Sequence, residues 1–421
     1  MTKIELKEIC KYVDESVEVG SIKLENYIST DNMLPNKGGI TLSEKLPPQK
    51  MCKKFQKGDI LVSNIRPYFK KIWFAEFDGG CSADVLVLRT VNQNFDPMFV
   101  YYNLFQDLFF KHQMTGSKGS KMPRGDKDQI MTFLIPEFDK TYQKRISEFL
   151  TVIDEKIALN KKINTELENL AKTIYNYWFV QFDFPFDFEK NEPCTHTPED
   201  KKQGNCHCKP YKTSGGEMVW NQELKREIPK GWEVVLLKDK LEFERGIEPG
   251  SDKYFDKPNE NTIPFYKVGG MDGNTDVWIE REVANSSICK EDDILLSLDG
   301  SVGRIAIGLN GAYSSGIRKV YQKEGCFPKS YIYFLLHSDE IQQIIKKNAT
   351  GSNILHAAKA LDYMITPYNE SIVRQYDEIS KPIFEKILLT KRENQELIKL
   401  RDFLLPLLMN GQVKIKSEVL L

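Results

Sequence analysis

Residues 145–178, RISEFLTVIDEKIALNKKINTELENLAKTIYNYW, contain neither Gly nor Pro. Steps of 4 and 3 residues land on Ile146, Leu150, Ile153, Ile157, Asn160, Asn164, Leu167, Ala171, Ile174 and Trp178. That is a heptad seam, the pattern of a helix that packs along another helix. At about 1.5 Å per residue such a helix is roughly 50 Å long. A length like that spaces domains apart or joins partners.

A second seam follows about 230 residues later: Tyr376, Ser380, Ile383, Ile387, Thr390, Asn394, Leu397, Arg401, Leu404 and Leu408. Pro382 lies near its start, so the helix either begins or kinks there. The copies share residues at fixed offset: Glu155-Lys156-Ile157 with Glu385-Lys386-Ile387, and Asn164, Glu166 and Leu167 with Asn394, Glu396 and Leu397. An internal repeat of this kind sets the architecture of the chain. Asn160, Asn164 and Asn394 on the seam cost stability but fix register. Ile163 and Leu170 flank the stripe, and a seam shifted toward them leaves the asparagines exposed.

The domains before each helix repeat as well. Leu6-Lys7 corresponds to Leu237-Lys238, Asp59-Ile60-Leu61 to Asp293-Ile294-Leu295, Pro97 to Pro328, Thr115-Gly116-Ser117 to Thr350-Gly351-Ser352, and Pro136 to Pro367. Lys57-Gly58-Asp59 reads as a turn into the strand Ile60–Ser63, and residues 84–89 as a second apolar strand. Pro97 opens an aromatic helix whose Tyr101–Phe110 stretch reads as core rather than as a base-stacking face. The loops between the shared turns differ: residues 118–124 are basic, while 353–360 are nearly neutral.

The fold expected is therefore α+β, with two similar mixed α/β domains, a pair of long coiled-coil helices and an internal pseudo-twofold repeat. The boundaries are a first domain at 1–136, a long helix at 137–183, a polar linker at 184–230, a second domain at 231–370, and a second long helix with the C-terminal tail at 371–421. The spacing alone favours neither parallel nor antiparallel pairing.

Lys plus Arg is 59 and Asp plus Glu is 60, which argues neither for nor against nucleic acid, since a basic patch can sit on a neutral protein. No apolar run reaches the roughly 18 residues of a membrane helix, and the N-terminus lacks the apolar core of a signal peptide. The cysteines are scattered apart from one cluster, as in a reduced, cytoplasmic protein. That cluster, Cys194, His196, Cys206, His207 and Cys208, is the one metal-like signal. Its spacings are tighter than those of ordinary zinc sites and it has no counterpart in the other half, so it reads as an insertion with no metal.

Two like domains with unlike loops suit a bipartite duplex, where paired readers contact half-sites about 34 Å apart. Candidate DNA-binding residues in the first domain are Asn64, Arg66, Tyr68, Lys70, Lys71, Ser117, Lys118, Ser120, Lys121 and Arg124. In the second they are Arg245, Lys267, Arg304, Arg318, Lys319, Ser352, Asn353, His356 and Lys359. These residue types contact phosphates and base edges. Catalysis is not expected. No Asn/Asp-Pro-Pro-Tyr/Phe tetrapeptide is present to hold a flipped adenine, no phosphate-binding Gly-x-x-x-x-Gly-Lys-Ser/Thr loop occurs, and no cofactor is implied. A non-catalytic protein-binding scaffold is the rival reading.

Several stretches carry a resemblance: residues 174–184, IYNYWFVQFDF; residues 209–221, KPYKTSGGEMVWN; Ile228-Pro229-Lys230-Gly231-Trp232-Glu233; and residues 400–413, LRDFLLPLLMNGQV. With these the chain resembles the specificity subunit of type I restriction–modification systems. The resemblance implies two target-recognition domains, each reading half of a split DNA site, and two long helices paired antiparallel. It also implies partners: two adenine methyltransferase (modification) subunits and the restriction subunits that join them.

Overall fold

The computed structural model describes residues 2–117, 122–194, 207–352 and 354–415. They divide into two compact units, one of residues 1–157 with 396–421 and one of residues 158–395.

In the first unit, β1 (Lys3–Glu5) pairs antiparallel with β10 (Leu134–Pro136). The central sheet orders as β2 (Cys10–Tyr12), β9 (Val85–Thr90), β6 (Ile60–Ser63) and β7 (Ile72–Phe74). Both predicted strands are here. The turn before β6 has the expected chemistry: Gly58 takes φ +91°, and the Asp59 carboxylate accepts from Gln56 N at 2.8 Å. Asp59 is buried and Arg89 grips it at 2.7 and 2.8 Å, so the buried charge is paired. A second sheet orders as β3 (Ser16–Glu18), β5 (Met51–Phe55), β8 (Gly79–Cys81) and β4 (Tyr27–Ile28), and its β4–β8 pair is parallel.

Three helices cover the central sheet: α1 (Pro97–Leu104), α2 (Asp107–Thr115) and α3 (Lys127–Met131). Asp96 caps α1, accepting from Phe99 N at 2.9 Å, with Pro97 in the first turn. Phe99, Tyr102, Phe105, Phe109 and Phe110 are buried, as the core reading expected, while Leu108 is exposed.

The second unit repeats this plan. Its β16 (Glu233–Leu236) pairs with β25 (Ile365–Tyr368). Its central sheet orders as β17 (Leu241–Arg245), β24 (Ile317–Gln322), β21 (Ile294–Ser297) and β22 (Ile305–Ala306). The second sheet holds β18 (Thr262–Tyr266) parallel to β23 (Gly311–Tyr313), flanked by β19 (Trp278–Glu280) and β20 (Ile288–Cys289). Helices α5 (Lys329–Leu336) and α6 (Asp339–Lys347) follow in the places of α1 and α2. The repeated leucines do the same job in each unit, Leu6 N donating to Phe133 O and Leu237 N to Met364 O, both at 2.8 Å.

Residues 184–230, expected to be a polar linker, are folded over their described part. They carry β11 (Pro185–Asp187), β12 (Glu192–Pro193), β13 (Lys209–Pro210) and the hairpin of β14 (Met218–Asn221) with β15 (Arg226–Pro229). Polar composition hid the aromatics that fold it: Phe184 stacks on Tyr211 at 4.8 Å and on Trp232 at 5.3 Å. Cys194 and Cys208 of the metal-like cluster are disulfide-bonded, and His196 and Cys206 lie outside the described residues.

The long helices are α4 (Lys140–Tyr175) and α7 (Glu370–Met409). Pro382 neither starts nor ends the second, which begins 12 residues earlier at Glu370. Within the second unit the helices run in opposite directions. Asn160 Nδ2 donates to Glu393 Oε2 at 2.8 Å and Asn394 Oδ1 at 2.9 Å, Thr390 donates to Asn164, and Tyr376 Oη donates to Ala171 O at 3.0 Å. Within the first unit, Arg401 meets Asp154 at 2.7 Å and Tyr142 Oη reaches Val413 O at 3.0 Å, again antiparallel. The three seam asparagines are buried and Leu170 is exposed, so the seam runs where the 4-3 spacing put it. Trp178 packs internally, 6.0 Å from Tyr376.

Candidate nucleic-acid interface

In the first unit the candidate residues follow β6, where the strand leaves the sheet. Asn64 N donates to Asp84 O at 2.8 Å, Arg66 N to Pro123 O at 2.8 Å, and Gly125 N to Asn64 O at 3.1 Å. Ile65 and Arg124 form a β-bridge. These bonds tie three segments, 64–66, 82–84 and 123–125, into one corner. Arg66 and Lys70 both adopt left-handed backbone, at φ +49° and +50°. Such conformations cost about 1 kcal/mol or more in a non-glycine residue and cluster at functional sites. Between them Pro67–Phe69 forms a single turn of helix.

The side chains divide into three groups. Arg66 and Tyr68 are exposed, and Ser117 is half-buried. Arg124 is 59% exposed and its Nη2 lies 3.0 Å from Asp84 Oδ1. Others are engaged by the protein. Lys70 and Lys37 bind Asp107 at 3.0 and 3.2 Å, and although burial pushes that carboxyl up, the two ammonium groups outweigh it and hold it below its usual range. Lys71 donates to Thr30 O, and burial lowers its pKa. Asn64 Oδ1 is buried with no partner among the described residues. Lys118, Ser120 and Lys121 lie outside the described residues. Beside the corner, Tyr27, Asn32, Thr41, Glu44, Ser82 and Asp84 line a concavity of about 810 Å³.

The second unit builds the same corner from other residues. Leu298 N donates to Gly316 O at 2.9 Å, Gly300 N to Leu355 O at 2.8 Å, and Ala357 N to Leu298 O at 2.7 Å. Asp299 and His356 form the β-bridge. The Asp299–Gly303 stretch is a turn, with Gly300 and Gly303 at φ +70° and +82°. His356 is 61% exposed, its Nδ1 2.7 Å from Asp299 Oδ1, and Lys359 and Ser352 are exposed. Lys267 lies over the Tyr254 ring at 4.1 Å, a cation–π contact. Arg304 donates to Val268 O at 2.7 Å and Arg245 to Ser315 O at 3.3 Å. Lys319 is paired with Glu244 at 2.9 Å. Arg318 is buried, donates to Ser315 O at 2.6 Å, and has its pKa lowered by burial and by Arg245. Asn353 lies outside the described residues.

Each corner thus presents basic side chains where an interior strand leaves its sheet, chemistry suited to phosphates and base edges. The carboxylates at both corners, Asp84 and Asp299, were not among the predicted residues. A search for basic side chains passes over them, and only their contacts give them a place. Among the described residues no cluster of His, Cys, Asp and Glu is arranged to hold a metal ion.

A family model described as the type I restriction modification DNA specificity domain matches residues 1–169 and 229–361. The chain belongs to that family. As a specificity subunit it is the sequence-specific DNA-recognition component of a type I restriction–modification system and carries no catalysis itself. It is similar to the HindI specificity subunit of Haemophilus influenzae, 26% identical over 92% of this chain and 94% of that one. It is also similar to the MjaIX specificity subunit of Methanocaldococcus jannaschii, 25% identical over 91% and 84%. A solved S subunit of a type I restriction–modification system from M. genitalium covers 97% of this chain and 95% of its own at 16% identity, with a TM-score of 0.49. No helix among the described residues of this specificity subunit is long and apolar enough to cross a membrane.

Proposed function

We propose that this specificity subunit reads a split DNA target, one half through residues 1–136 and the other through residues 231–370. The long helices at 137–183 and 371–421 act as an antiparallel coiled-coil spacer with pseudo-twofold symmetry, which sets the distance between the half-sites. Two adenine methyltransferase subunits and the restriction subunits join it in the cytoplasm and supply the chemistry. One observation carries the reading: two sheets of identical strand order end in corners tied by equivalent hydrogen bonds, yet the side chains those corners present differ. A shared scaffold with unlike surfaces suits a target whose halves are unlike. Arg66 and Lys359 are exposed, which supports their use as phosphate contacts that orient each domain.

Domain exchange tests it. Residues 1–136 are replaced by those of a relative with a different target, and methylated adenines are mapped in DNA from cells carrying the exchanged subunit with its methyltransferase. The expected result is a split motif changed in one half only. A motif changed in both halves, or an unsplit one, overturns the reading.

A further inference from the structure

The two corners match hydrogen bond for hydrogen bond. Arg66 N to Pro123 O corresponds to Gly300 N to Leu355 O, Gly125 N to Asn64 O corresponds to Ala357 N to Leu298 O, and Asn64 N to Asp84 O corresponds to Leu298 N to Gly316 O. The bridges match too, Ile65 with Arg124 in one unit and Asp299 with His356 in the other. Arg124 and His356 therefore occupy one structural position, although the chain between each of them and the shared Thr-Gly-Ser differs in length and sequence.

At that position each unit holds a largely exposed basic side chain at two points. The backbone is fixed by the flanking hydrogen bonds, and the head group is fixed by a carboxylate. The carboxylates come from different places. Asp84 precedes β9 and reaches across to Arg124 Nη2 at 3.0 Å, whereas Asp299 is itself the bridge partner of His356 and lies 2.7 Å from Nδ1. Where Asp84 stands in the first unit the second has Gly316, so the arrangement recurs without the residues that make it. A largely exposed polar contact of this kind adds about 0–1 kcal/mol to stability, too little to account for building it twice. What such a pair does well is orient: it removes rotamer freedom before a ligand arrives.

We infer that residues 124 and 356 are equivalent base-contacting positions, one per half-site, with Asp84 and Asp299 as the residues that aim them, and that Arg124 is matched to a guanine. A guanidinium carries five donors in a planar fork, so after one Nη2 hydrogen meets Asp84 the second Nη2 hydrogen and one on a neighbouring nitrogen still present a pair suited to guanine O6 and N7. His356 has only one ring nitrogen left once Nδ1 is given to Asp299, so its contact is single and discriminates less. The inference rests on the DNA-reading function proposed above.

The test maps methylated sites for the assembled methyltransferase complex carrying Asp84→Asn, Arg124→Lys or His356→Ala, alongside binding to cognate and single-base-changed duplexes over a range of salt. Arg124→Lys keeps the charge and loses the fork. It and Asp84→Asn are each expected to relax one guanine of one half-site, lowering preference there on the order of tenfold or more, with the other half intact. His356→Ala is expected to relax one position of the opposite half. Thermal midpoints of all three variants check that folding is retained. Full preference retained by Arg124→Lys overturns the inference. So does a uniform loss across all sequences with a smaller salt slope, which marks a phosphate contact. A wild-type motif that is not split defeats the underlying function instead, so the two failures are distinguishable.

Discussion

His337 is held in a setting at odds with its ordinary chemistry. Burial pushes its pKa down to about 4, Lys391 and Lys172 add to the effect, and its Nε2 has no partner among the described residues. Tyr333 lies against the ring at 4.5 Å and donates its hydroxyl proton to Glu168 at 2.7 Å. The folded protein holds this imidazole neutral, whereas an unfolded histidine takes a proton below roughly pH 6.5. Stability is therefore full above that value and falls as pH drops through the window between about 6.5 and 4. Denaturant unfolding at pH 7.5 and pH 5.0 is expected to show wild type losing about 2 kcal/mol more than His337→Gln on acidification. Equal losses would remove His337 from the acid response.

At the scale of elements, the antiparallel segments are pinned by amides as well as by leucines and isoleucines. Asn160 spends both amide hydrogens on α7, on Glu393 and Asn394. A uniform apolar seam slides by a heptad at little cost, and a buried donor that finds its acceptors in one alignment does not. Asn160→Ala is expected to lower unfolding free energy by about 1–2 kcal/mol in a denaturant titration. A neutral result would show that the apolar positions alone hold the register. The stretch between the first long helix and β16 has a different anchor. Trp232 meets Phe179, Phe182 and Phe184 at 5.9, 5.5 and 5.3 Å, so a length of polar chain is folded by four rings.

For the whole molecule, a net charge of −1 means that affinity for DNA rests on local patches rather than on a global field. The stretch holding Lys118 and Lys121 is one such basic patch in the first domain's sequence. Replacing both with Ala is expected to weaken binding to all sequences alike. The slope of log affinity against log salt should then become shallower by about 0.9 for each phosphate no longer neutralised. Filter binding or fluorescence anisotropy of the assembled complex from low to moderate salt measures it. An unchanged slope would take that stretch out of the interface.

Much of this architecture was legible in the residues. A 4-3 apolar spacing specifies a long packed helix because helix geometry is periodic, and the shared turns at Asp59 and Asp293 marked two copies of a scaffold because a capped turn has few chemical solutions. Three things were not legible. The folding of residues 184–230 was hidden because stacked rings from distant positions, not local pattern, make that core. The fates of the cations were hidden because a Lys or Arg looks the same in sequence whether it faces water or, like Arg318 and Lys70, is spent on a carbonyl or a carboxylate. The equivalence of Arg124 and His356 was hidden because it is a relation between backbone hydrogen bonds. Periodicity and turn chemistry are local, so the sequence by itself determined the elements and their repetition. Which side chains face a ligand depends on contacts between segments far apart in the chain, and only the tertiary structure decided that.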